Sequence, residues 1–323
     1  MENTLEIADL RAGFPTEKGV AMAVDGVSLT IPRGGVAGLV GESGCGKSMT
    51  GRAVMGLIRQ PGKIYGGSVR FEGRELTALS QRELGKLRGG EISMVFQEPM
   101  TSLNPVMTVG RQVAETLRLH RGLSRAEART ETVRMFEKVG IPDPEKRYDC
   151  YPHQLSGGLQ QRAVIAMAMI CRPRLLIADE PTTALDVTVE AQILRLLRAL
   201  TEKQGTSVLL ISHDLGVVAQ LCDSVSVMYA GQIVEQAPVC ALFDRPAHPY
   251  TRGLLGAVQS LRAGDAVLDT IPGGVPDFLR LPPGCRFAPR CGQACPGCAE
   301  VRPPLRELMP GHFARCVETG GGV

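Results

Sequence analysis

Apolar residues follow two rhythms along this chain. Over residues 5–14 and 23–31, apolar and polar side chains alternate with β-branched residues among them, the pattern of half-buried antiparallel strands. Residues 36–40, 175–178 and 208–211 are short, wholly apolar runs, as in strands covered on both faces. Residues 68–71 and 93–96 read as further strands. Helices are predicted over 49–59, 108–119, 124–139 and 187–203. The third opens on Ser124-Arg125-Ala126-Glu127, a capping box in which Ser and Glu satisfy each other's orphan N–H groups, and the fourth stops at Gly205. Strands alternating with helices predict an α/β fold with a parallel core.

Near residue 240 the texture changes. Ala247-His248-Pro249-Tyr250 breaks the pattern, residues 251–261 read as a helix, and from about 270 Pro and Gly dominate. No internal repeat is visible. With 323 residues, 44% apolar and 21% charged, the chain has room for one large folded domain and a smaller one. A net charge of +3 with no basic arm or stripe argues against nucleic acid as the main ligand. No apolar run approaches the ~18 residues that span a bilayer, and Met1-Glu2-Asn3-Thr4 does not open a signal peptide. The expectation is a cytoplasmic chain, at a membrane only where a partner holds it. Of ten cysteines, Cys285, Cys291, Cys295, Cys298 and Cys316 cluster near the end. In a reducing compartment such clustering suggests metal ligation more than disulfides.

The chemistry concentrates in Gly41-Glu42-Ser43-Gly44-Cys45-Gly46-Lys47-Ser48, which fits G-x-x-x-x-G-K-[ST]. It follows a predicted strand and, with Met49, opens a predicted helix, the context this phosphate-binding motif requires. Its glycines let backbone N–H groups turn toward phosphates, and the helix N-terminus adds positive potential. Lys47 is placed to reach the β- and γ-phosphates, and the Ser48 hydroxyl to ligate Mg²⁺.

Two further motifs gain meaning from the first. Leu175-Leu176-Ile177-Ala178-Asp179-Glu180 is an apolar strand ending in two carboxylates, at the strand end where α/β sheets bind ligands. Asp179 suits the Mg²⁺ shell and Glu180 a water-activating base beside the γ-phosphate; alone, the pair would read as solvated acids. Leu155-Ser156-Gly157-Gly158-Leu159-Gln160-Gln161-Arg162 opens a helix running to about 171, with Ser156 as N-cap and a bare, anion-binding N-terminus.

These motifs, followed by a lone His213 after Val208-Leu209-Leu210-Ile211-Ser212, resemble in order and spacing the ATP-binding subunits of ABC transporters. The resemblance covers about 5–240. It implies a P-loop NTPase core with an antiparallel β subdomain and a helical subdomain over about 98–172. It implies a nucleotide-binding domain over 1–240, and a small Cys-rich extension over 241–323. It also implies a head-to-tail pair of subunits sandwiching two ATP molecules. Gln97, in Met94-Val95-Phe96-Gln97-Glu98-Pro99, resembles the glutamine that touches Mg²⁺ and the attacking water, and the loop after it would face a membrane subunit. Ser156, Gly157 and Gly158 would clamp the partner's ATP. Asp186 resembles the aspartate that couples the two sites, and His213 the switch histidine that contacts the γ-phosphate and orders Glu180. Phe14 would stack on adenine where the family usually has Tyr; it reads equally as a core residue of an edge strand.

Glu98 to Pro105, Asp186-Val187-Thr188-Val189, Ala247 to Thr251 and Pro283 to Cys291 resemble the oligopeptide/dipeptide importer branch, which nickel and glutathione importers share. The implied partners are a second ATPase subunit (a heterodimer), two transmembrane permeases and an extracytoplasmic substrate-binding protein, with this chain peripheral on the cytoplasmic face. Alternatives are nickel-chelate or glutathione cargo, a soluble non-transport ABC ATPase, or a cassette that binds ATP without hydrolysing it. Intact Glu180, His213 and Ser156-Gly157-Gly158 argue against the last. For the tail, four thiolates suit either Zn²⁺ or an iron–sulfur cluster, and free thiols remain a third reading. The resemblance implies a structural [4Fe–4S] cluster on Cys285, Cys291, Cys298 and Cys316, with Cys295 spare. The tail has too little apolar periodicity to fold on packing alone, so ligation is expected to order it. ATP binding is expected to be independent of the tail cysteines.

Overall fold

In a computed structural model, residues 2–97, 102–182, 186–263 and 271–317 are described. The strands are β1 (Asn3–Thr16), β2 (Gly19–Pro32), β3 (Val36–Val40), β4 (Lys63–Phe71), β5 (Arg74–Glu75), β6 (Ile92–Val95), β7 (Leu175–Asp179), β8 (Ser207–Ser212), β9 (Ser224–Tyr229), β10 (Gln232–Pro238), β11 (Arg306–Met309) and β12 (His312–Ala314). The helices are α1 (Lys47–Val54), α2 (Gln81–Leu87), α3 (Val109–Arg121), α4 (Arg125–Lys138), α5 (Pro144–Tyr148), α6 (Gly157–Met169), α7 (Val187–Gln204), α8 (Leu215–Leu221), α9 (Val239–Asp244), α10 (Pro249–Ala263) and α11 (Pro296–Glu300). Two units interleave along the chain: one comprises Met1–Thr4, Ile31–Gly35 and Ala78–Leu210, the other Leu5–Thr30, Val36–Thr77 and Ile211–Val323.

In the first unit the strand order is β8-β7-β6, with β6 and β7 parallel. Every residue of β6, β7 and β8 is buried, which is why those runs are apolar without alternation. Helices α3 to α6 follow β6, and α3 packs against α4 and α6. The predicted capping box is formed: the Ser124 hydroxyl accepts from the Glu127 N–H, and the Glu127 carboxylate accepts from the Ser124 N–H at 2.9 Å.

In the second unit β2-β1-β4-β5 form an antiparallel sheet, and β11-β12-β10-β9-β3 lie side by side in that order, with β3 and β9 parallel. The tail therefore adds a two-stranded edge to β10, with Glu235 opposite Ala314. Packing contributes to its order: Phe287 is 4% exposed, and its ring stands 5.2 Å from that of Tyr229. Helix α1 ends at Val54, short of the predicted residue 59. Gly56 adopts φ +61, and the Leu57 N–H reaches back to the Arg52 carbonyl while that of Gly56 reaches Ala53, a closure that only a left-handed residue permits cheaply. Among the described residues no helix is long and apolar enough to cross a membrane.

Candidate nucleotide site

The Gly-rich loop joins the C-terminal end of β3 to α1, which begins at Lys47. Gly41 and Gly46 have φ +152 and +109. A Cβ on Gly41 would collide with the Met228 carbonyl oxygen, and one on Gly46 with that of Ala23, so both positions must be glycine. Gly44 has φ +78, nothing within 4 Å of a Cβ built on it, and lies exposed with Ser43. The loop is thus fixed at its ends and open in its middle. Lys47 is 4% exposed, and its ammonium donates to the carbonyls of Gly41 at 2.7 Å and Glu42 at 3.0 Å. Cys45 is fully buried, its thiol pushed up by burial. Ser48 and Met49 are half-buried in the first turn of α1. Phe14, half-buried in β1, lies against Gly62, where an added Cβ would come within 2.6 Å of its ring.

In the first unit, the ends of β6 and β7 bring Gln97 and Glu180 together: the Gln97 amide donates to the Glu180 carboxylate at 3.0 Å. Asp179 is 1% exposed, and Glu180 takes a left-handed φ of +47, which is costly for a residue with a Cβ. The buried Gln161 of α6 donates to the Pro181 carbonyl and so ties the turn after Glu180 to the helix that Ser156 opens. Ser156 occupies the N-cap position, but its hydroxyl makes no capping bond, contrary to expectation. Its φ of −66 and ψ of 159 are cap-like, and the first turn starts on Gly157, where nothing lies within 4 Å of a built Cβ. A Cβ on Gly158 would meet the Val189 side chain of α7 at 3.0 Å. Asp186 caps α7, accepting from the Val189 N–H at 2.9 Å, a local role additional to the one the resemblance implies. Residues 98–101 and 183–185, which include the start of the loop expected to face a membrane subunit, lie outside the described residues. In the second unit His213 is exposed at the end of β8, just before the Asp214 that caps α8.

Residues 24–183 match the ABC transporter family, and residues 234–298 match the C-terminal region of oligopeptide/dipeptide transporters. Over 312 residues the chain is 52% identical to the oligopeptide transport ATP-binding protein OppD of Salmonella typhimurium, covering 97% of this chain and 92% of that protein. This chain belongs to the ATP-binding subunits of ABC transporters, in the oligopeptide/dipeptide branch. It is an ABC-type ATPase. It is also 48% identical over 317 residues to the oligopeptide transport ATP-binding protein AppD of Bacillus subtilis, covering 98% of this chain and 97% of that protein. Among solved structures it resembles the dimeric post-hydrolysis state of the ATP-binding cassette MJ0796 bound to ADP and Pi. The TM-score is 0.66 at 27% identity, over 73% of this chain and 98% of that one.

Sequence reasoning missed the tail's contribution to the ATPase loop. Arg290 forks onto the Glu42 carboxylate at 2.7 and 3.0 Å, and the Glu42 N–H donates to the Tyr250 hydroxyl at 2.9 Å. Arg286 pairs with the buried Asp25, which Arg302 also meets. Burial alone would push the Asp25 carboxyl up, but these two arginines outweigh it and hold it below the usual carboxylate range. A signal existed in the arginines of Cys285-Arg286-Phe287-Ala288-Pro289-Arg290-Cys291, spaced by four, yet their acidic partners lie about two hundred and fifty residues away in sequence.

The tail cysteines depart from expectation. Cys285 is raised by burial and, further, by the neighbouring thiols of Cys316 and Cys291; its N–H donates to the Cys298 carbonyl at 2.8 Å. Cys298 is 6% exposed and pushed up to about 11 by burial, with Cys295 and Cys285 adding to it. Cys295 sits at the N-cap position of α11, whose first turn brings its sulfur within 3.3 Å of that of Cys298. Among the described residues no three His, Cys, Asp or Glu side chains stand close enough to hold a metal ion. The thiols gather near Cys285 without closing a ligand cage.

Proposed function

We propose that this ATPase powers uptake of di- and oligopeptides through membrane permeases. The observation that carries the chemistry is the loop over residues 41–48, rigid at Gly41 and Gly46, open at Gly44, with Lys47 anchored inside it. Its backbone N–H groups and Lys47 would hold the β- and γ-phosphates, and Phe14 would stack on adenine. Ser48, Asp179 and Gln97 offer the oxygen donors Mg²⁺ prefers. Bound there, Mg²⁺ neutralises phosphate charge. Glu180, oriented by Gln97, accepts a proton from the attacking water, and His213 contacts the γ-phosphate.

Ser156, Gly157, Gly158 and Asp186 would act on the ATP of a second ATPase subunit. A helix N-terminus with no side-chain cap and an open Gly157 supports this, as does the dimeric form of the MJ0796 cassette. The second subunit is proposed to be a different chain. The remaining partners would be two permeases and an extracytoplasmic binding protein, with this chain on the cytoplasmic face. The nucleotide-binding domain is assigned to 1–240 and the importer-type extension to 241–323.

For the tail we favour a structural [4Fe–4S] cluster on Cys285, Cys291, Cys298 and Cys316, with Zn²⁺ the alternative. A soft thiolate donor set supports it, and the cysteines would have to close around the metal. Iron, sulfide and zinc analysis of anaerobically purified protein decides this. For cargo, a strain lacking this chain should lose uptake of labelled peptides and regain it with the wild type but not with Glu180→Gln. Loss of nickel-chelate or glutathione uptake alone would move the cargo to those ligands.

A further inference from the structure

We propose that Arg290 and Tyr250 of the C-terminal region are positioning residues for the phosphate loop, and that Arg290 also cancels the charge of Glu42 beside bound ATP. The inference rests on the reading of residues 41–48 as that loop. Glu42 is held at three groups. Its N–H donates to the Tyr250 hydroxyl at 2.9 Å, its carbonyl accepts from the Lys47 ammonium at 3.0 Å, and its carboxylate takes both arms of Arg290. Neither tail residue has freedom to wander. Tyr250 is fully buried, its ring 4.7 Å from Tyr229 and 5.4 Å from Phe287. The Arg290 side chain is 7% exposed and also donates to the carbonyls of Pro272 at 2.8 Å, Gly273 at 3.2 Å and Ile271 at 3.3 Å.

A second grip reaches the other end of the loop. Arg286, one helical turn's spacing before Arg290, donates to the Ala230 carbonyl and to Asp25. The Asp25 N–H bonds the Gly231 carbonyl at 2.8 Å, and the Gly231 N–H bonds the Cys45 carbonyl at 2.8 Å. The loop is thus fixed from the tail at residues 42 and 45.

A carboxylate on a loop that receives a polyanion opposes binding by Coulomb repulsion, unless a cation pairs with it. Arg290 is that cation, and its planar fork holds the carboxylate in one orientation. Removing the arginine therefore harms ATP binding twice, by loosening the loop and by unmasking Glu42. Removing the unmasked charge should restore part of the loss.

The test uses the full chain and measures Mg·ATP affinity by titration at two salt concentrations, with a melting curve for each variant. Wild type should bind; failure there would undo the reading of the loop itself. Arg290→Met should weaken affinity by about tenfold, more at low salt than at high. Adding Glu42→Gln to it should recover at least part of that loss. Arg290→Lys, which keeps the charge and loses the fork, should fall between, and it replaces Arg290→Met in the same comparison should that variant not fold. Unchanged affinity in Arg290→Met, a salt-independent loss, or a double variant no tighter than the single would overturn the proposal and leave Arg290 a fold residue only.

Discussion

The amide of Gln97, at the end of β6, donates to the carboxylate of Glu180, at the end of β7, at 3.0 Å. The bond joins two neighbouring parallel strands at the ends from which their loops leave, and it orients a glutamate whose backbone is already strained. Glu180→Gln keeps the shape and loses the proposed base. Turnover should fall about a hundredfold or more while ATP still binds. Steady-state phosphate release, measured beside equilibrium ATP binding, checks this; wild-type turnover would remove Glu180 from the role.

Lys47 is buried and donates to two loop carbonyls, so its charge is already aimed into the loop before phosphate arrives. Lys47→Ala should weaken Mg·ATP binding by about two orders of magnitude, since the proposed charged partner of the phosphates is lost from a buried position. Equilibrium titration with a fluorescent ATP analogue reads the effect.

Ser156→Arg places a long cation at an exposed helix N-terminus. The isolated chain should bind ATP as before, because Ser156 is not part of the loop over residues 41–48. Pairing of two subunits should be blocked. In a Glu180→Gln background, size-exclusion chromatography with ATP should show a dimer that Ser156→Arg abolishes. Loss of ATP binding by the single chain would contradict the two-subunit arrangement.

His248 is 1% exposed, accepts the Tyr250 N–H on Nδ1 at 3.1 Å, and is lowered from 6.5 to about 4, first by burial and then by Arg252. Between those values the unfolded chain binds the extra proton. Stability therefore falls as pH drops through this window, by on the order of 3 kcal/mol for this group. Urea midpoints from pH 7 to 4 should decline more steeply for the wild type than for His248→Asn. Equal slopes would show that His248 is not buried as a neutral ring.

Much of the fold was legible because its signals are local. The wholly apolar runs became the fully buried β7 and β8, and Ser124 with Glu127 closed the predicted cap. The same cap signal in Ser80 and Glu83 marks α2, which the sequence reading passed over. The extent of α1 was overread because Gly56 inside an apolar stretch did not announce a left-handed stop. Glu42 read as one residue of the phosphate-binding loop, since nothing near it in sequence shows that Arg290 and Tyr250 converge on it. For the cysteines, clustering suggested metal ligation and the resemblance a ligand set, and neither signal showed that helix α11 sets Cys295 against Cys298.

The central claim is that ATP hydrolysis by this chain drives peptide uptake. Its most direct test reconstitutes the chain with the proposed second ATPase subunit and permeases in proteoliposomes, then adds the proposed binding protein and a labelled peptide. ATP-dependent peptide accumulation is expected, with hydrolysis stimulated by the peptide-loaded binding protein and both lost with Glu180→Gln. Hydrolysis indifferent to the loaded binding protein, with no peptide accumulated, would contradict it.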